Sequence, residues 1–205
     1  MCHQDEQPEP AFGYLSVLEL AEHGFFGGYL IISDWGRPLE FHCTAPVRPT
    51  RAQQILYGPS LRPYLLGEQI GATLLAKAKL TSQVILTDQI ATLCLRSCAG
   101  VPMARVIGGS HTPNQANAAA DSVASDAVVA PPAIHITPPD GRVRVGACEL
   151  ELPSAYHADG EQLVALVAPL VAHVDLAEPF DRIHEAIREA QRIGTRGPEA
   201  HVQAA

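Results

Sequence analysis

Three β-prone segments joined by tight turns open this chain, and they constrain its fold more than any other feature of the sequence. Residues 14–20 read YLSVLEL, residues 29–32 YLII and residues 39–44 LEFHCT. Aliphatic, aromatic and β-branched side chains at this density suit a pleated, half-buried surface. Gly24-Phe25-Phe26-Gly27-Gly28 and Asp34-Trp35-Gly36-Arg37 separate the segments as turns, and Gly36 can take the positive φ that a tight turn demands. Connections this short join antiparallel neighbours, so a three-stranded antiparallel meander is expected.

Helical spacing follows. Pro46 and Pro49 end the meander, and Thr50 is placed to cap a short helix to residue 56, stopped by Gly58-Pro59. Ser60 would cap a longer helix over 61–79, in which Leu66, Ile70 and Leu74, with Leu75 and Ala78, recur on one face. Gly67 and Gly71 lie one turn apart within it. Each costs a helix about 1 kcal/mol relative to alanine, which predicts a close backbone approach to the sheet or to a second subunit. Residues 83–87 (QVILT) read as a short strand, 89–99 as a helix and 101–107 as another strand. That order is a βαβ unit with a right-handed crossover.

The pattern stops after residue 107. Residues 108–133 are rich in Gly, Ser, Ala, Asn and Pro and read as a flexible linker or insertion. A β-hairpin is expected from 133–137 and 142–152 about Pro139-Asp140-Gly141. Two helices follow, over 160–174, interrupted by Pro169, and over 176–193, closed by Gly194. The expected class is therefore mixed α/β. A compact domain spans 12–107, residues 1–11 and 195–205 form tails, and the hairpin and helices of 134–194 pack on the first domain or on a partner. In the last helix Leu176, Phe180, Ile183 and Ile187 make an apolar stripe, too short for an independent coiled coil. It suits docking on the chain's own domain, a homodimer or a protein partner's groove.

Composition limits the function classes. Apolar residues make up 47% of the 205 and charged residues 18%, enough for a buried core and against global disorder. A net charge of −8 disfavours nucleic acid as a partner, because affinity for it comes largely from neutralised phosphates. No run of about 18 apolar residues is present, so no membrane span is expected. The opening MCHQDEQPEP is acidic and polar, unlike a secretory leader. Five cysteines, an odd number without close pairing, fit reduced thiols and a cytoplasmic location. No cofactor is expected: neither a P-loop nor a GxGxxG fingerprint occurs.

Several residues remain as candidates for chemistry. Arg48, Arg51 and Arg62 fall in a stretch with no acidic residue between Glu40 and Glu68. With Thr50 at a helix N-terminus, they could hold a small anionic ligand through a phosphate or carboxylate. The plainer alternative is that Thr50 only caps and the arginines solvate the surface. Cys43 is a possible nucleophile, but neighbouring His42 points to the other face of a strand, so its activation would need another partner. A structural cysteine is the simpler reading. Cys94 and Cys98 share a helix face, yet further ligands lack any recognised spacing, so no metal site is expected. Asp88 stands at the carboxyl end of an expected parallel strand, where open α/β sheets place ligand-binding groups, or it caps the next helix. Gly108-Gly109-Ser110-His111 ends the neighbouring strand and could share that crevice.

The segment GRPLEFHCTAPVRPTRAQQILYGPSLRPYLLGEQIG, residues 36–71, resembles a group of uncharacterised bacterial conserved proteins, and no activity or residue role comes with the resemblance. The function expected from the sequence is a binding or regulatory module that contacts a ligand or protein partner through residues 41–62. The alternatives are an enzyme of the hydrolase or transferase kind using Cys43 or Asp88, and a structural subunit assembling through its C-terminal helix.

Overall fold

A computed structural model describes residues 10–21, 23–108, 135–137 and 141–195. Residues 1–9 and 196–205 of the expected tails, most of the segment 108–133, Ser110 and His111, and Pro139-Asp140 lie outside the described residues. Within them the chain is α/β: eight strands form one mixed sheet in the order β3-β2-β1-β4-β5-β8-β7-β6. The meander is present as β1 (Ala11–Leu20), β2 (Gly24–Ser33) and β3 (Pro38–Cys43), all antiparallel. β4 (Val84–Thr87) lies parallel to β1, and β5 (Met103–Ile107) lies parallel to β4, which completes the βαβ unit. Between β3 and β4 run α1 (Arg51–Tyr57), a π-helix (Pro63–Gly71) and α2 (Ala72–Lys77). Between β4 and β5 run a 3-10 helix (Ile90–Leu95) and α3 (Arg96–Ala99).

Two differences from the sequence expectation have clear causes. β2 begins at Gly24, so Gly27 and Gly28 are strand residues. They are needed because helices press on both faces: a Cβ on Gly27 would collide with Ile70, and one on Gly28 with Ile183. The stretch 142–152 is two strands, β7 (Arg142–Val145) and β8 (Cys148–Glu151), split by Gly146 at φ 62°. β8 pairs antiparallel with β5, and β6 (His135–Thr137) pairs with β7, so the C-terminal strands extend the first sheet.

Alternation along β1 sends Phe12 and Tyr14 to one core and Leu15 and Val17 to the other. The first core is closed by α4 (Gly160–Val171) and α5 (Glu178–Thr195), the second by the π-helix, α2 and the 3-10 helix. Pro169 falls in the last turn of α4, which ends two residues later. The glycine pair of the π-helix serves chiefly a helix crossing, and Gly71 also lies close to Leu15 of the sheet. A Cβ on Gly67 would strike Cys94 Sγ, and one on Gly71 would strike Leu95 Cδ1. Cys94 is thereby explained as the side chain that fills the notch at Gly67.

The expected external interface on α5 is corrected by this packing. Leu176, Phe180, Ile183 and Ile187 are all buried in the first core, with Phe180 edge-on to Tyr14 at 5.2 Å between ring centroids. A stripe consumed by the chain's own sheet has no surface left for a homodimer or partner. Phe180→Ala should therefore lower stability by about 3–5 kcal/mol, and Gly28→Ala by about 1–3 kcal/mol through overpacking against Ile183. Urea denaturation measures both. A Phe180→Ala chain that keeps its midpoint and changes its mass in light scattering would restore the external interface.

Candidate functional site

Asp88 follows a strand whose four residues are all buried, and it stands at the carboxyl end of β4, beside the middle of the parallel and longer β1. The register sets Leu15 beside Thr87, so the next residues, Ser16 and Asp88, are neighbours. Ser16 Oγ donates to Asp88 Oδ2 at 2.7 Å. His184 Nε2, from α5, lies 2.8 Å from Ser16 Oγ and 3.5 Å from Asp88 Oδ2. Ser16 and His184 are buried. With the Ser16 proton on Asp88, the lone pair of Oγ faces a proton on His184 Nε2, which fixes the ring's tautomer.

This arrangement differs from a serine-hydrolase relay, in which the carboxylate bonds the far nitrogen of the imidazole and the serine proton points at the near one. Here the carboxylate and the hydroxyl share one ring nitrogen, and the hydroxyl is spent on the carboxylate. Ser16 is a clamp, not a nucleophile. The group with spare capacity is Asp88, whose Oδ1 is buried and has no hydrogen-bond partner. Beside it the Gln89 amide donates to Val17 O at 2.5 Å and leaves its own buried Oε1 unpartnered. A buried acceptor without a donor costs about 1–3 kcal/mol, so Asp88 Oδ1 and Gln89 Oε1 are the acceptors of this cluster whose capacity the protein itself leaves unused. Two residues before Ser16, on the same face, the Tyr14 hydroxyl is also buried without a partner, and burial pushes its pKa up.

The other sequence candidates occupy different places. Thr50 caps α1 in a full capping box, accepting from Gln53 N at 3.2 Å while Gln53 Oε1 accepts from Thr50 N at 2.8 Å. Arg51 donates to Gln54 Oε1 at 3.3 Å, and Arg48 Nε to His23 O at 3.0 Å. Arg62 pairs with Glu19 at 3.3 Å and lies over the Phe25 ring. Glu19 is three residues from Ser16 on an alternating strand, so Arg62 stands on the opposite face of β1 from Asp88. His42 is 2.5 Å from Glu40 Oε1, and Cys43 is exposed on the other face of β3. Cys43 pairs with Gly28, and Gly28 with Ser16, so the three form a row across the sheet. Ile183 sits over Gly28 in the middle of that row. Cys94 is pushed up by burial and then by Glu68, and Cys98 Sγ donates to Leu95 O at 3.2 Å. Among the described residues no group of three His, Cys, Asp or Glu could hold a metal ion, and no helix is long and apolar enough to cross a membrane.

Sequence reasoning singled out Asp88 and missed both of its partners. Each carries a signal. Ser16 is a small polar residue inside the apolar run YLSVLEL, and His184 interrupts the buried stripe of α5 four residues after Phe180. A polar residue on a face that must be buried is the mark of a satisfied buried network.

No family model matches the chain, and no curated protein matches it. Among solved structures that do match is Ciona intestinalis endonuclease V in complex with a 23mer DNA containing an inosine, with 16% identity and a TM-score of 0.33. The match covers 48% of this chain and 46% of that chain, so this chain spans less than half of the structure it matches. The expectation that disfavoured nucleic acid as a partner is corrected here: the matching structure is a DNA complex, and a net charge of −8 describes only the average surface. At this TM-score the likeness carries no assignment of activity.

One group on the other face of the sheet, in β3, makes stability depend on pH. Hydrogen bonds from His42 and from the Lys79 and Leu80 amides hold the Glu40 carboxyl down to about 2, from 4.5. A depressed carboxyl adds stability that is complete above its unfolded value and is lost as pH falls through its folded value. The denaturation midpoint of the native chain should therefore fall between pH 4.5 and about 2. That part of the acid slope should be missing in Glu40→Gln, as a pH series of urea midpoints would show.

Proposed function

We propose that this chain is an enzyme of the hydrolase or transferase kind in which Asp88 is a general base. The observation that carries the reading is the asymmetry of its carboxylate: Oδ2 is held by Ser16, while Oδ1 is buried and has no partner. A water or a substrate hydroxyl at Oδ1 would lose its proton to Asp88 as its oxygen attacks the electrophile. The proton then rests on Oδ1 and passes to the leaving group. Ser16 keeps its bond to Oδ2 throughout, and His184, behind Ser16, fixes the direction of that bond. Both are positioning residues, and general-base catalysis of this type contributes about 10²–10⁴-fold.

The test is a panel of activated carboxylic esters, phosphomonoesters and phosphodiesters, assayed with the native chain and with Asp88→Asn. The expected result is turnover of one class that falls by about 10²–10⁴-fold in Asp88→Asn, with the denaturation midpoint retained. Ser16→Ala should give a smaller loss and a displaced pH profile, since it changes how the carboxylate is held without removing it. Absence of turnover across the panel, or turnover unchanged by Asp88→Asn, would reject the assignment.

A further inference from the structure

The end of β4 carries two unengaged acceptors in adjacent residues, and a general base at Asp88 uses one of them. Asp88 and Gln89 are each latched to β1 by a single side-chain atom. Asp88 Oδ2 takes the Ser16 proton, and Gln89 Nε2 donates to the backbone oxygen of Val17, the residue after Ser16. Val17 O can only accept, so this bond settles which end of the amide is the nitrogen and leaves Oε1 as the free end. The backbone of Gln89 is held as well: its N–H donates to Thr87 Oγ1 at 3.3 Å, and its carbonyl accepts from Thr92 Oγ1 at 2.8 Å. Asp88 Oδ1 and Gln89 Oε1 remain, both buried and both without a hydrogen-bond partner among the described residues. They lie just beneath the surface: the Asp88 side chain is 14% exposed, and Ile90, next in the chain, is 60% exposed.

Protons decide what suits such a pair. A carboxylate oxygen and an amide oxygen only accept, so each needs a donor from outside. A substrate hydroxyl carries one proton; it would satisfy Asp88 Oδ1 and leave Gln89 Oε1 unbonded. A water molecule carries two and satisfies both.

We propose that Gln89 is a second catalytic residue, and that Asp88 Oδ1 and Gln89 Oε1 together hold the attacking water by its two protons. This rests on the general-base reading and narrows it from hydrolase or transferase to hydrolase. With both protons engaged, the lone pairs of the water oxygen face away from the two acceptors and are open to the electrophile. One O–H bond breaks as its proton passes to Asp88 Oδ1, and the oxygen forms its bond to the electrophile. The second proton stays on that oxygen, hydrogen-bonded to Gln89 Oε1. As the bond to the leaving group breaks, the leaving group takes the proton from Asp88. Both acceptors are fixed by bonds made before any substrate arrives, so the water is oriented in advance.

A high-resolution crystal structure of the native chain and an analysis of its products test this together. The expected structure has a water about 2.5–3.0 Å from both Oδ1 and Oε1. With a substrate of the reactive class, methanol added as a competing acceptor should yield a smaller share of methyl product than in the uncatalysed reaction, since methanol has one proton to give. Gln89→Leu keeps the bulk of the side chain and removes the acceptor. It should lower kcat by about 10²-fold with KM little changed, and it should raise the methyl share, which a merely structural Gln89 would not do. If Gln89→Leu does not fold, the water and the product ratio of the native chain decide. A native structure with no water bridging the two oxygens, or a methyl share equal to the uncatalysed one, would overturn this inference alone. A bridging water in a chain without turnover, or with turnover unchanged by Asp88→Asn, would reject the general base and this inference with it.

Discussion

One face of the sheet depends on α5 lying across β1 and β2. The approach is possible only because Gly28 has no side chain where Ile183 must sit. Once Ile183 and Ile187 are seated, the 3.6-residue period turns His184 toward Ser16 and Phe180 toward Tyr14. Hydrophobic packing thus sets the position of the polar cluster. The 2.8 Å hydrogen bond between His184 and Ser16, itself held by Asp88, then fixes the rotation of a helix that apolar contacts alone would hold less sharply.

The cluster itself is uneven. A carboxylate buried for structural reasons is normally satisfied on both oxygens, since an orphan acceptor is costly. Asp88 is satisfied on one. The contrast with Glu40 is instructive. That carboxylate accepts from His42 and from two backbone amides across both its oxygens, and its pKa is depressed accordingly. Glu40 ties β3 to the segment before β4 and has nothing left to give. Asp88 retains an oxygen that no group of the protein engages.

Much of the architecture was legible because it is written in contiguous sequence. The meander, the short apolar strand before Asp88 and the strand–helix–strand order each declare themselves within a few residues. What failed was any inference that depended on knowing what lies opposite. Gly27 and Gly28 look like turn glycines, yet they are strand residues that admit helices from both sides; the same letter serves both purposes. Gly146 looked like part of a strand and is a hairpin turn. The α5 stripe was visible, but whether it faced this chain or another could be decided only by its fit over Gly28. Ser16 and His184 are separated by 168 residues, and no local pattern pairs them.

That separation has a consequence in time. Ser16 and Asp88 are made well before His184, which belongs to the last helix described. Strands β1 to β5 can begin to assemble on the ribosome, but during that interval Ser16 has only Asp88 for company, and the face that α5 will cover is bare. Contacts between residues this far apart in a chain form late and slowly. The cluster is therefore complete only once α5 has been made and docked, so a nascent or truncated chain that lacks α5 would carry Ser16 and Asp88 without His184 behind them.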